Sequence, residues 1–223
     1  MMAKSDTRTS EFFDSYAHKF DAIYGTQNTF LNRLINKLFR KSMRLRYERT
    51  LQGCSPIQGK RVIDIGCGSG HYGIALATAG AGYVLGLDFA KTMIDIAKYR
   101  AKAAGVDDRC HFEYADFFAR PIQETFDYAI VMGFMDYMQE PERIIEKVLS
   151  VTTHKAFFSF PIDSGFLAWQ RKLRYTKRCD LFLYNQGDLQ RLFGRLTQKR
   201  IEYVKISRDY FVTVHIDREE NHA

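Results

Sequence analysis

No stretch of the 223 residues holds the roughly 20 consecutive apolar side chains that a bilayer-spanning helix needs, so no transmembrane segment is expected. The opening MMAKSDTRTSEFFDSY lacks an apolar core followed by small residues, and a cleaved signal peptide is not expected either. Cysteine is scarce and scattered. Cys54, Cys67, Cys110 and Cys179 never form Cys-x-x-Cys, which argues against a zinc site, any other metal centre of that kind, or a disulfide framework. Free thiols in a reducing compartment fit this pattern, and the expected location is cytoplasmic. Proline occurs four times, no tract is of low complexity, and no segment repeats or reads as a linker. The chain is therefore expected to form one domain with a sizeable core.

What the chain does have is clustered positive charge. The net charge is +7, and between Arg33 and Arg49 seven basic residues meet one acid, Glu48. A second cluster comprises Arg171, Lys172, Arg174, Lys177 and Arg178. Such clusters attract acidic metabolites, phospholipid headgroups or nucleic acid, and they are equally typical of a solvated helix face.

The apolar pattern alternates along the chain. Glu11–Tyr24 reads as a short aromatic helix, and Asn28–Leu51 as an amphipathic helix or helix pair. Strand-like runs follow at Arg61–Ile65, Tyr83–Leu87, Cys110–Ala115, Phe126–Met132 and Lys155–Phe160. Helical patterns at His71–Ala79, Lys91–Ala104 and Pro141–Val151 lie between them. This order predicts a parallel sheet with helices on both faces. Beyond it come a helix near Gly187–Leu196 and two strands, Lys199–Ile206 and Tyr210–Ile216. Ser207-Arg208-Asp209 is too short to join anything but antiparallel neighbours.

The most informative stretch is Val62-Ile63-Asp64-Ile65-Gly66-Cys67-Gly68-Ser69-Gly70-His71. A strand ends on an acid, and alternate glycines then lead into a helix whose first N–H groups are unpaired. Gly68 to Gly73 also satisfies the dinucleotide-binding G-x-G-x-x-G pattern. Asp64 separates the two readings. A carboxylate there repels a pyrophosphate but suits a ligand with an ammonium group.

Asp88 ends the second strand, 18 residues after Gly70, where a carboxylate can accept both ribose hydroxyls of an adenosine ligand. A helix N-cap is the alternative role for Asp88. At the end of the third strand, Asp116 can accept from an adenine amino group and Phe117 can offer its amide. Phe89 can pack on one adenine face. Three successive strand tips together describe a nucleoside-shaped slot.

From Phe12 to the C-terminus, and most closely over Val62–Met138, the sequence resembles the class I S-adenosylmethionine-dependent methyltransferases. The first family motif matches Asp64, Gly66, Gly68 and Gly70, the second-strand acid Asp88, and the third-strand acid Asp116. Phe126-Asp127-Tyr128-Ala129-Ile130-Val131 matches the fourth-strand motif.

The resemblance implies an α/β, Rossmann-like doubly wound sheet of seven strands, the last antiparallel, with an N-terminal helical cover. It implies a cover over residues 1–58, a cofactor-binding core over 59–160, and a substrate-side loop, helix and hairpin over 161–223. S-adenosyl-L-methionine is the implied cofactor. The implied contacts are Asp64, Gly66, Cys67, Gly68, Gly70, Asp88, Phe89, Asp116, Phe117 and Gly133, with Tyr16 and Tyr24 from the aromatic opening segment.

Asp136 and Tyr137, just past the fourth strand, are candidate catalytic residues that orient a substrate, or else simply a turn. Arg171 and Arg174 are expected to select an anionic small molecule. No Pro-Pro-aromatic motif for nucleobase amino groups follows the fourth strand, and no cysteine fits pyrimidine C5 chemistry. The remaining likeness is to small-molecule O- or C-methyltransferases, such as those acting on a magnesium-porphyrin carboxylate or a quinone precursor. RNA methylation and nicotinamide-dependent oxidoreduction are the rival readings, and peripheral membrane contact stays open.

Overall fold

Five short β-branched and aromatic runs, with helices of 8 to 13 residues in three of the four gaps between them, favour a parallel sheet. The computed structural model describes residues 30–165, 181–196 and 199–216 and has that arrangement. Helix α1 (Phe30–Gly53) precedes β1 (Arg61–Ile65), α2 (His71–Thr78), β2 (Tyr83–Asp88), α3 (Lys91–Ala103) and β3 (Cys110–Tyr114). Next come β4 (Phe126–Val131), a 3-10 turn (Met135–Tyr137), α4 (Pro141–Ser150), β5 (Thr152–Pro161), α5 (Gln186–Phe193), β6 (Arg200–Ile206) and β7 (Asp209–His215).

The seven strands lie in the order β3-β2-β1-β4-β5-β7-β6. Strands β1 to β5 pair in parallel, and β7 slots antiparallel between β5 and β6. The sheet expected from the resemblance is thus present.

Successive side chains along a strand point to opposite faces, and the core divides accordingly. Ile63, Ile65, Leu87, Val131, Phe158 and Phe160 pack under α4 and α5. Val62, Val84, Tyr128, Ile130 and Phe157 pack on the other face with residues of α2 and α3, and α1 adds Leu45 and Leu51. At Gly53 the end of α1 approaches β5 so closely that a Cβ would sit 2.6 Å from the Phe157 ring. Tyr47 of α1 also meets Tyr72 of α2, ring centroids 5.5 Å apart.

The basic N-terminal segment, read as a helix or a helix pair, is a single helix, and two later elements differ from the sequence reading by three residues at one end. β5 runs from Thr152 to Pro161 because it is paired on both sides, Thr152 with Phe126 of β4 and Pro161 with Asp209 of β7. Helix α5 begins at a reciprocal cap between Asn185 and Asp188 and stops at Phe193, before Gly194. Among the described residues no helix is long and apolar enough to cross a membrane. Cys54, Cys67 and Cys110 are buried and unbridged; Cys179 lies outside the described residues.

Candidate active site

Strand order reverses between β2-β1 and β4-β5, so the carboxyl ends of β1 and β4 diverge and open a crevice. The loop leaving β1 is stitched to the tip of β2. The Gly66 and Cys67 N–H groups both donate to the Leu87 carbonyl, at 2.8 and 3.1 Å, and Gly68 N–H donates to Asp88 Oδ2 at 2.8 Å. Gly66 (φ +69°) and Gly68 (φ +52°) adopt left-handed backbone. A Cβ on Gly68 would meet no protein atom within 4 Å, so the floor there is bare. A Cβ on Gly66 would meet the Phe134 ring at 2.6 Å. Gly66→Ala is accordingly expected to lower Tm by about 2–8 °C through backbone strain, and to weaken ligand binding by pushing Phe134 aside. Thermal melts with and without ligand check this; an unchanged Tm and affinity would contradict it. At Gly70, a Cβ would strike Phe112 and Ala97, so that glycine serves packing of the loop on α3 and β3.

Gly66, Asp88, Phe89, Asp116, Phe117 and Tyr137 come together on one cleft of about 590 Å³, also lined by Ile65, Leu87, Ala115, Phe118, Phe134 and Met138. Asp88 is held rigidly: Oδ1 accepts Ala90 N–H at 2.8 Å while Oδ2 accepts Gly68. It is not the N-cap of α3, a position Ala90 occupies. Asp116 Oδ1 accepts Phe118 N–H at 2.8 Å.

Asp64 lies beneath the glycine loop, on the α2 face of the sheet and outside the cleft lining. It is 1% exposed, and its Oδ2 has no hydrogen-bond partner. Burial, and then the nearby Asp88 carboxylate, push its pKa up to about 7 against the opposing Gly73 N–H. A buried carboxyl with an unmatched oxygen costs the fold stability. The Cys67 side chain packs in the core, where burial pushes its thiol well up, so only its backbone faces the loop.

Gly133, at the tip of β4, donates its N–H to Ser159 Oγ at 2.8 Å. Arg46 Nη1 donates to the same hydroxyl at 3.1 Å, and Arg46 Nε lies 3.7 Å from Asp209 Oδ2. Ser42 donates to Asp209 at 2.5 Å. This buried group from α1, β4, β5 and β7 is absent from the sequence reading. Arg46 looked like one of seven solvated cations; its signal was the hydroxyls four residues either side, Ser42 and Thr50, which mark a buried polar stripe.

Asp136 is buried in the 3-10 turn, its carbonyl accepting Phe182 N–H at 2.8 Å, and it adds to the burial that pushes the Tyr184 hydroxyl up. It is not among the cleft-lining residues, whereas Tyr137 is. His71 is exposed, its Nε2 3.2 Å from Arg100. Tyr16, Tyr24, Arg171 and Arg174, with the Glu11–Tyr24 helix, lie outside the described residues. No group of three His, Cys, Asp or Glu able to hold a metal occurs among the described residues.

With this geometry in hand, residues 57–164, just under half of the chain, match the family described as "Methyltransferase domain". The chain's relatives include the 27-O-demethylrifamycin SV methyltransferase of Amycolatopsis mediterranei, 35% identical over 45% of this chain and 38% of the relative. The demethylmenaquinone methyltransferase of Clavibacter sepedonicus is 28% identical over 67% of this chain and 56% of the relative. The chain thus spans about 40–55% of the length of these curated relatives. The magnesium protoporphyrin IX methyltransferase of Synechocystis, solved with bound SAH, shares the fold. Its TM-score is 0.74 at 19% identity, over 95% of this chain and all of that one.

Proposed function

We propose that this chain is an S-adenosylmethionine-dependent methyltransferase acting on oxygen or carbon of a small, anionic molecule. The observation that carries the cofactor is Asp64, a buried carboxylate with an unmatched oxygen under a bare glycine floor. That combination fits a ligand with an ammonium group and a nucleoside, and no phosphate. The neighbour solved with SAH and the named methyltransferase relatives support the same reading.

In this reading Asp64 would hold the cofactor's ammonium group, Gly66 and Gly68 would admit its backbone-hugging chain, and Asp88 would accept its ribose hydroxyls. Asp116 would take the adenine amino group, with Phe89 and Phe117 packing beside the ring. When bound, the cofactor supplies a sulfonium methyl group open to in-line displacement. The chain's own task is then to align the acceptor and exclude water. A carboxylate acceptor is already ionised near neutral pH and needs no base, whereas a hydroxyl does. Tyr137 and Asp136, next to the β4 tip, are the candidates for orienting the acceptor.

Arg46 supports the anionic acceptor. Its guanidinium is largely buried beside Gly133, and Nε makes no hydrogen bond. Its charge is matched by Asp209, but at 3.7 Å that contact is too long for a hydrogen bond, so Nε keeps a donor for a carboxylate or phosphate oxygen. Arg171 and Arg174 would add to the same selection. The test is a screen with methyl-labelled cofactor against small acids, neutral analogues and RNA. The expected outcome is label on an acid, with Arg46→Met raising its KM about tenfold or more and leaving the Kd for S-adenosylhomocysteine within about threefold. Label appearing on RNA or on neutral acceptors alone would overturn the anionic assignment.

A further inference from the structure

The loop after β3 supplies four cleft-lining residues, Ala115 to Phe118, and it is organised around one side chain that does not touch the cleft. Lys147, in the last turn of α4, reaches across and donates its ammonium to three carbonyls of that loop. They belong to Phe117, Phe118 (3.1 Å) and Arg120 (2.9 Å). Three donors meet three acceptors, which exhausts the ammonium. The cation also sits 4.7 Å from the centre of the Phe117 ring.

A peptide group is planar and trans, so its carbonyl and its N–H point in opposite directions. Turning the Phe117 carbonyl toward Lys147 turns the Phe118 N–H away from it, and that N–H donates to Asp116 Oδ1 at 2.8 Å. The far end of the loop is fixed separately. Arg120 N–H donates to the Asp116 carbonyl at 2.9 Å, and its guanidinium makes two bonds to Glu113, at 2.7 and 3.0 Å.

We infer that Lys147 is a positioning residue for recognition of the cofactor's purine: by fixing the Phe117–Phe118 peptide plane it sets the orientation of the Asp116 carboxylate, and so selects a 6-amino purine over a 6-oxo one. The inference rests on the cofactor reading above. A role confined to stability would lower Tm without altering which purine is preferred.

The experiment titrates S-adenosylhomocysteine and its 6-oxo counterpart, S-inosylhomocysteine, into the protein by calorimetry. Wild type is expected to prefer the amino form by about tenfold or more, the worth of a hydrogen bond to a charged acceptor. Lys147→Met is expected to lose most of that preference by weakening the amino form alone. Lys147→Arg, which keeps a cationic donor, is expected to recover part of it. Should Lys147→Met not fold, Lys147→Gln serves instead: its shorter amide offers two donors in place of three, and a partial loss of the preference is expected, again by weakening the amino form alone. Equal weakening of both ligands, or no change in either, overturns the inference while leaving the cofactor reading intact. Wild type that binds neither ligand overturns both.

Discussion

Asp64→Asn is expected to stabilise the ligand-free protein above pH 7 while weakening its hold on the cofactor. The folded state raises the Asp64 pKa to about 7, chiefly by burial, whereas the unfolded chain leaves it near 3.8. Between those values the folded protein binds the proton that the unfolded chain has released, so stability falls as pH rises across the window. The contribution is fully present below about pH 4 and fully lost above about pH 7; at 1.36 kcal/mol per unit the loss approaches roughly 4 kcal/mol. Asparagine can still accept the Gly73 N–H but carries no charge. After the cost of its own buried amide, a net gain of about 1–2 kcal/mol, or about 2–8 °C in Tm at pH 8, is expected. The stability–pH curve between pH 4 and 7 should flatten in parallel. Loss of the charged partner is expected to raise the Kd for S-adenosylhomocysteine about tenfold to a hundredfold. Thermal melts from pH 5 to 8 and one titration check all of this. A variant that melts lower than wild type at pH 8 contradicts the account of Asp64.

The second large effect belongs to Asp88. Asp88→Ala removes the acceptor of both the Gly68 and the Ala90 N–H. One of those bonds ties the glycine loop to β2 and the other shapes the entry to α3. Charge-assisted bonds at a half-buried site are worth enough that a stability loss of about 2–3 kcal/mol is expected. Binding should suffer more, by at least about a hundredfold, because the loop is released and the ribose acceptor vanishes together. An analogue lacking both ribose hydroxyls separates the two causes. Wild type should lose affinity on going to it, whereas the alanine variant should bind both ligands alike. A variant that still prefers the hydroxylated ribose would show that Asp88 serves the loop alone.

The sheet was legible because its strands show as short β-branched or aromatic runs between helical patterns or turn residues. The strand-tip positions of Asp64, Gly66, Asp88 and Asp116 were legible for a related reason: each sits within two residues of a strand end, where spacing translates directly into place along the chain. Roles inside the loop were harder to read. Gly66, Gly68 and Gly70 look alike in sequence, yet one is roofed by Phe134, one is bare, and one packs on Phe112. That Asp64 lies under the loop rather than in the cleft lining follows from the alternation of side chains along β1, which turns it to the α2 face. Long-range partners left almost no local trace. Arg46 and Ser159 are 113 residues apart, and Ser42 and Asp209 are 167 apart. Lys147 reads as an ordinary cation in the last turn of a helix until the carbonyls it gathers are seen.

Titrating S-adenosylhomocysteine into the wild-type protein at pH 7 in two buffers of different ionisation enthalpy addresses the central claim most directly. One site per chain is expected, with a heat that differs between the buffers because Asp64 gives up its proton as the ammonium group arrives. No heat from this ligand or from S-adenosylmethionine, on material that melts cooperatively, would contradict the account.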